Sequence, residues 1–593
     1  MSSHAEKLLS LRSAMKADGI DIYIIPSSDP HLGEYIPEHW QIIKWLTGFT
    51  GSAGTVVVTE FHAGLWTDSR YFIQAARQLS GSGFEFMRPG QYQRNDYMDF
   101  IADNAGKEMK IGFDGRIFPV SSFRRLEKRL EGKNMIFKTS CDLIWPLWPD
   151  RPAMPFSAAF DHALEYSGKG RAEKLGEVRD RMKRAGAAYH LLSSPDDIMW
   201  LLNIRGNDLK YSPLLLCFAL VGLEQALLFI DQAKIPPMLA AEFDRLAIVI
   251  LPYDEAAEII QEVIEGESVM FNPQNTSVDL FRALTKMSGS VEGISIPAGL
   301  KSVKNPTEIA NIGKVMIRDG VALTRFFHWF GSNHGITEMS EDQLSEKIDE
   351  FRAEQEGFLK PSFETIVAFN ENSALPHYHA EKGSGAEIGD RGILLVDSGG
   401  QYPGGTTDIT RTIAIGIPSA QQISDFTLVL KGHINLALSK FPEGTRGYQL
   451  DLVARRAMWG SGMNYAHGTG HGIGYCLNVH EGPQSISPAD NKTAIEEGML
   501  TSNEPAIYRE GEYGIRTENL ILCYSDEETE FGKFLRFETI SLCYIDKSLI
   551  DKSLLDRTET DWLNAYHAEV FDKLGPHLSD DEKIWLREKT EPI

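Results

Sequence analysis

Nearly all of the candidate chemistry in this chain lies between residues 377 and 518. The segment ILLVDSGGQYPGGTTDITRTIAIG carries an apolar strand, Ile393 to Val396, that ends at Asp397; a Gly-rich turn and a second β-branched run beginning at Asp408 follow. This pattern predicts a hairpin with one acid on each arm. An ionised carboxylate in an apolar strand is costly to bury unless it is paired or holds a metal. A single such Asp reads most simply as a turn-capping or solvent-facing side chain. Two in one hairpin point to a cation.

The next segment, YAHGTGHGIGYCLNVHEGP, places His467, His471 and His480 among Gly468, Gly470, Gly472 and Gly474. So many glycines exclude a comfortable helix, and the HExxH pattern of helical zinc sites is absent. The glycines instead let backbone approach a ligand closely. One His alone would be an ordinary hydrogen-bonded side chain; three grouped this way imply at least one functional ring. Two further acids stand in EEGMLTSNEPAIY, at Glu504 before Pro505, and in YGIRTENLIL, where Glu518 opens a strand two residues after Arg516. Neither is specific alone, since Glu-Pro suits a turn and Arg516 with Glu518 suits a cross-strand ion pair. Together, Asp397, Asp408, His471, Glu504 and Glu518 offer one imidazole and four carboxylates, a ligand set for two divalent ions.

Elements must bring these residues together. Asn305-Pro306-Thr307-Glu308 joins a capping side chain, a helix-starting Pro and a Glu at the third helical position, so a helix begins there, with Ile309, Ile312 and Met316 at helical spacing. A second helix after Ser340 carries Leu344, Ile348 and Phe351 on one face. Upstream, two stretches resemble each other: DIYIIPSSDP with IIKWLTGFTGSAGTVVVTEFHAGLWTD, and AYHLLSSPDDIMWLLNIRGND with PLLLCFALVGLEQALLFID. Each has an apolar strand, a Ser-Ser turn, a Trp-bearing helical segment, and two β-rich runs ending at Asp68 or Asp231. They read as two copies of one α/β domain, with WPLWPDRPAMP, from Trp145 to Pro155, as the linker. The expected division is residues 1–155, 156–303 and 304–593.

Composition narrows the class. The 593 residues, 42% hydrophobic and 24% charged, exclude a disordered or collagen-like chain and suffice for several domains. A formal charge of −24 repels phosphate backbones and anionic lipid, so no nucleic-acid and no membrane partner is expected. The five cysteines are scattered, with no CxxC pair, as suits a reducing compartment. Glu6, Lys7, Arg12, Lys16 and Asp18 interrupt any apolar run a secretory signal would need, and the longest apolar stretch, from Leu214 to Leu223, is far short of a membrane span. A cytoplasmic location is expected.

The order VDSG, TTDITRT, HGTGHGIG, NEP and IRTEN resembles the dinuclear metallopeptidases with the pita-bread fold, and among them the aminopeptidase P family. YIIPSSDPHLGEYI, GFTGSAGT, WTDSRYFIQAA, NIRGND and DWLNAYH extend the likeness, over most of the chain, to the long, three-domain, cytosolic type of Xaa-Pro aminopeptidase. The resemblance implies two similar amino-terminal α/β domains followed by a pita-bread catalytic domain. It makes Asp397, Asp408, His471, Glu504 and Glu518 the metal ligands, with Asp408 and Glu518 bridging. His377, His467 and His480 match the family's active-site histidines, and Arg516 matches an arginine supporting the last glutamate. Two features depart from a clean match. Ser502-Asn503-Glu504-Pro505-Ala506 stands where the family usually has an acidic or Val residue before Glu-Pro-Gly, which unsettles the surroundings of Glu504. In LPHYHA, His379 competes with His377, and the His-Tyr pair favours His377.

The expected reaction is removal of the first residue from a peptide with proline second. That bond is a tertiary amide without N–H, which defeats proteases that grip the donor. Two divalent ions, manganese first and cobalt or zinc as alternatives, would share a water that becomes hydroxide near neutral pH. Glu504 would be the general base. His480 would steady the oxyanion, and His467 or His377 would orient the peptide or protonate the leaving nitrogen. The resemblance also implies a homodimer. A dipeptide-restricted prolidase is the rival enzyme, and a metal-free pita-bread binding protein the rival of another class.

Overall fold

The computed structural model describes residues 3–88 and 96–593, which fold as two units, Met1–Asp161 with Lys169–Pro297 and His162–Gly168 with Ala298–Ile593. In the first unit the strand Ile22–Pro26 shows why a sheet forms: its side chains alternate between two faces, and both faces are apolar. Tyr23 and Ile25 join Val56, Val58 and Leu65 against Leu8, Leu11 and Met15 of the helix His4–Asp18. Ile22 and Ile24 join Val57, Trp66 and Ile111 against Met98, Ile101 and Leu126 from the helices Tyr97–Asn104 and Val120–Arg129. A sheet apolar on both sides must be covered on both sides, which makes the α/β layering.

The strand order is Glu85–Met87, Ala63–Trp66, Thr55–Thr59, Ile22–Pro26, Lys110–Gly112, Ile136–Lys138. A second sheet repeats it with Ile248–Leu251, Ala226–Phe229, Phe218–Gly222, Tyr189–Leu192, Ser268–Phe271 and Gly289–Glu292. The parallel and antiparallel pairings correspond one for one. Asp68 and Asp231, the ends of the two repeated stretches, both cap a short 3-10 turn with the side chain. The copies therefore share a topology, as the sequence implies. They part after the first strand, where the second copy enters the helix Pro195–Leu202 at once and the first copy reaches its helix only at Ile42–Thr47. Residues 148–159 carry no helix or strand.

The second unit starts on the helix Pro306–Asn333, whose Asn305 side chain accepts from the N–H groups of Thr307 and Glu308 while Glu308 closes the capping box. The helix Glu341–Ala353 follows, with Leu344 and Ile348 fully buried. These helices, with Ala420–Ala437 and Arg557–Leu574, pack on one large core that includes Val396, Ile409, Ile413 and Ile515. Strands Ile366–Phe369, Gly392–Ser398 and Ile409–Ile415 form one sheet. Lys440–Pro442, Gly532–Thr539, Asn519–Thr529, Leu500–Asn503, Gly470–Gly472 and Glu481–Ile486, in that order, form another. Ala506–Arg509 and Tyr513–Arg516 pair as a hairpin. No helix among the described residues is long and apolar enough to cross a membrane.

A buried ion pair ties the first two helices of this unit. Arg352 donates to both oxygens of Asp319 at 2.8 and 3.1 Å, and the Tyr402 hydroxyl adds a third bond at 3.2 Å. Arg352→Met leaves the carboxylate buried without its counter-charge, at a cost of about 3–5 kcal/mol. A lower urea midpoint for the unit carrying Asp319 is the expected outcome; an unchanged midpoint would show that the pair does not hold the helices.

Candidate metal centre

The first two acids lie where the strand pattern puts them. Gly392–Ser398 and Ile409–Ile415 run antiparallel in unbroken register, with Asp397 opposite Thr410. Asp408 stands one residue before the second arm. The Gly-rich connection is more than a turn: Gly400–Tyr402 and Gly405–Thr406 form a small hairpin within a separate sheet. Both acids are buried, and one oxygen of Asp397, Oδ1, has no hydrogen-bond partner. Its other oxygen accepts from Arg516 Nη2 at 2.5 Å.

The two glutamates flank a neighbouring ladder. Leu500–Asn503 pairs with Asn519–Thr529, and the last rung joins Asn503 to Asn519. Glu504 leaves one strand and Glu518 enters the other. Glu518 accepts from Thr410 Oγ1 at 2.7 Å, and Glu504 from Ser502 Oγ at 3.3 Å. His471 lies in the strand Gly470–Gly472 beside these, and its N–H donates to Ser502 Oγ at 2.9 Å.

The His471 ring explains what the cluster can hold. Nδ1 faces the carbonyl of Gly472 at 3.0 Å, so the ring proton belongs on Nδ1. Nε2 then presents a lone pair to two acceptors, Asp408 Oδ2 and Glu504 Oε1, each 3.5 Å away. A lone pair facing two carboxylates needs a cation between them. The three sets Asp408–His471–His480, His471–Glu504–Glu518 and Asp397–Asp408–Glu518 each offer donor atoms within 4.8 Å of one another, and they overlap as two adjacent ion sites would. Four carboxylates and one imidazole are a donor set for divalent ions that favour oxygen with some nitrogen. The residues present fit such a pair.

The electrostatics agree. Burial first, then the charges of Glu518, Asp397 and Glu504, push Asp408 well above the ordinary carboxylate range. Burial, then Glu504 and Asp397, does the same to Glu518. Burial raises Glu504 to about 7 against the opposing charge of Arg516. Arg516 stays charged despite its burial because Tyr508, Asp397, Glu504 and Glu518 surround it.

The remaining candidates are placed around this core. The His480 ring stands edge-on to His471, with centroids 4.4 Å apart. His467 lies beside Glu504, Nδ1 to Oε2 at 3.9 Å. Pro376, the residue before His377, accepts from Arg516 Nη2 at 3.5 Å through its carbonyl. The His379 ring is instead 3.6 Å from Glu364. Tyr508 escapes a reading by motif. Its hydroxyl accepts from Arg516 Nη1 at 2.6 Å, which leaves its own proton to donate to His467 Nε2 at 2.9 Å. The signal was in AIYREGEYGIR: a hairpin pairing Tyr508 with Gly514 makes Arg516 a diagonal neighbour on the same face.

Comparison with known proteins follows the same line. Residues 310–525 match metallopeptidase family M24, residues 533–593 its C-terminal region, and residues 7–141 and 150–308 each a creatinase/prolidase N-terminal domain. The chain is 37% identical to aminopeptidase P2 of Arabidopsis thaliana, covering 99% of this chain and 88% of that one. It is 35% identical to Xaa-Pro aminopeptidase 1 of Dictyostelium discoideum, covering 99% and 96%. The crystal structure of X-prolyl aminopeptidase from Caenorhabditis elegans, a cytosolic enzyme with a di-nuclear active site, is 33% identical, covers all of both chains and superposes with a TM-score of 0.96.

Because Glu504 is raised from 4.5 to about 7, the folded chelator-treated protein holds a proton that the unfolded chain has lost. Its stability therefore falls as pH rises through that window. Ions displace the proton, so their stabilising effect grows over the same range. Melting temperatures in EDTA are expected to drop between pH 5 and 8, with a shallower slope in Glu504→Gln and recovery on adding manganese. A rise that Glu504→Gln leaves unaltered would contradict this electrostatic reading.

Proposed function

The chain belongs to the aminopeptidase P family within metallopeptidase family M24, and from that membership we propose that it is a metal-dependent Xaa-Pro aminopeptidase, releasing the first residue of peptides whose second residue is proline. The observation that carries this reading is the lone pair of His471 aimed between Asp408 and Glu504, inside a cluster of buried acids. Asp397, Asp408, His471, Glu504 and Glu518 hold two divalent ions, manganese first because the donors are mostly hard oxygens. Such ions supply a water made acidic, its pKa lowered toward about 7, and a polarised carbonyl.

The chain's own residues do the rest. Glu504, a carboxylate 3.5 Å from His471 Nε2 at the ion site, takes the proton of the attacking water. His480, edge-on to His471, donates to the oxygen that gains charge. Arg516 fixes Tyr508, and Tyr508 fixes the tautomer of His467, whose Nδ1–H faces the carbonyl of Gly468 at 2.7 Å. An imidazole oriented this way beside Glu504 places the peptide backbone, and His377, next in sequence to the Pro376 whose carbonyl meets Arg516, shares that work. The substrate ammonium is drawn to the acidic ground around Asp397, which limits cleavage to the first residue.

The division into residues 1–155, 156–303 and 304–593 is supported by the duplicated sheets and by the separate family matches. The enzyme works in the cytoplasm, in keeping with its cytosolic relative and with five buried cysteines that form no disulfide. It forms a homodimer. Support for this comes from the helix Gly447–Gly460, whose exposed Tyr448, Leu452 and Trp459 fall within about 40° around the axis at 3.6 residues per turn. Such a stripe is an apolar face for a second copy to cover.

Glu504→Gln should keep the fold while lowering kcat by about 10²–10⁴, measured on an Xaa-Pro-Xaa tripeptide; turnover within tenfold of wild type would remove the general-base role. Wild-type protein that cleaves Xaa-Pro dipeptides but no tripeptide would make it a prolidase. Sedimentation should give twice the mass of one chain, and Leu452→Glu should shift the species toward the monomer. A wild-type monomer at micromolar concentration would exclude the dimer.

A further inference from the structure

His433 belongs to no motif, yet it lies behind the two glutamates. It projects from the helix Ala420–Ala437 with no exposed surface. Nδ1 faces the carbonyl of Asn503 at 3.0 Å, and Nε2 faces the amide nitrogen of Asn519 at 3.1 Å. The orientation of that amide is set by Arg411, a permanent donor, whose Nη2 reaches Asn519 Oδ1 at 2.8 Å. Asn519 must therefore turn its NH2 toward the ring, and the ring must accept at Nε2 and donate from Nδ1. Asn503 completes the loop by donating from Nδ2 to the carbonyl of His433 at 2.9 Å.

Burial drives the imidazole down to about 3, helped by the charge of Arg411 and opposed by the carbonyls of Asn503 and Thr517. The neutral ring is the one present at working pH.

The strand geometry gives this bridge its meaning. Asn503 and Asn519 form the last rung of their ladder. Just beyond it the two glutamates leave the ladder, the N–H of Glu504 going to the carbonyl of Thr469 and that of Glu518 to the carbonyl of Thr410, before the chains meet again where Thr517 N–H donates to the carbonyl of Pro505 and Ala506 pairs with Arg516. Side chains alternate along each strand, so the two asparagines face the back while the two glutamates face the ion site. Glu504 and Glu518 thus share no rung with each other and sit in the gap between two paired stretches, where the bridge behind the asparagines adds a side-chain link to the backbone ones. We propose that His433 is a positioning residue for the metal centre, joining the backs of the two strands so that Glu504 and Glu518 are held at the separation two ions require.

This inference rests on the reading of Glu504 and Glu518 as ligands, and its test separates the two. Manganese binding by equilibrium dialysis, and the visible absorption of the cobalt-loaded protein, are measured for wild type, His433→Leu and His433→Asn. Wild type should bind two ions. His433→Leu should bind them about 10–100-fold more weakly, as expected when an outer partner of a metal ligand is lost, with an altered cobalt spectrum and a kcat reduced by a similar factor at nearly constant KM. His433→Asn keeps a donor near the Nδ1 position but strands the Asn519 amide, so its affinity should fall between the two. If either folded variant binds both ions with wild-type affinity and an unchanged spectrum, the positioning role is overturned while the ligand assignment stands. If wild type binds no ions, the ligand assignment fails and takes this inference with it. Should His433→Leu not fold, His433→Asn alone decides.

Discussion

Three buried carboxylates, Asp397, Asp408 and Glu518, and the partly buried Glu504 are confined with the buried guanidinium of Arg516. Like charges at that spacing and in that medium repel strongly, and burial together with the neighbouring acids raises the affinity of Asp408 and Glu518 for protons. Something positive must enter: protons at low pH, divalent ions at neutral pH. Much of the surrounding unit reads as the means of keeping these groups apart from solvent and near one another until that charge arrives. A core of Val396, Ile409, Ile413 and Ile515 lies behind the strands that carry the acids, so relaxing the repulsion by letting a strand move would open apolar surface to water.

Hydrogen bonds give each acid a direction as well as a place. Arg516 takes one oxygen of Asp397 and leaves the other without a partner. Thr410 holds one oxygen of Glu518 while its backbone neighbour Arg411 donates to the carbonyl of the same residue. Arg411 in turn reaches the carbonyls of Cys543 and Tyr544 and the hydroxyl of Tyr566. The carboxy-terminal helix Arg557–Leu574 is thereby joined to the strand of Glu518 through one buried guanidinium. This is a specific role for a segment that carries none of the ligands.

The acids, the histidines, the capping box at Asn305 and the duplicated α/β sheets were legible from local pattern, because each depends on neighbours in sequence. A continuous apolar run ending in an acid made Asp397 stand out, and Asn-Pro-Thr-Glu could hardly do other than start a helix. What could not be read depends on which elements meet in space. His433 lies in the middle of an amphipathic helix, where a histidine is unremarkable until the ends of two strands are seen against it. Tyr508 needed the register of its hairpin before it could be joined to Arg516 and His467. His377 and His379 are two residues apart, and the pairing of His379 with Glu364 is not foreshadowed by any local pattern.

The unusual stretch Ser502-Asn503-Glu504-Pro505-Ala506 follows from the same geometry. In a strand, residues two apart share a face, so Ser502 looks toward the ions with Glu504 and Asn503 looks away. The Ser502 hydroxyl accepts the N–H of His471 and donates to Glu504, linking two ligands of the cluster with a group that carries no charge. The acidic or Val residue usual before Glu would stand at Asn503, on the face turned away from the ions, so its replacement leaves the charge of the cluster unaltered. Asn503, on the opposite face, offers the carbonyl and amide that engage His433. Ala506 opens an extended strand paired with Arg516, and extended backbone accommodates a Cβ that a left-handed turn would reject. The departure at Asn503 thus supplies hydrogen bonding to His433 on the face away from the ions, with no change required of Glu504 itself.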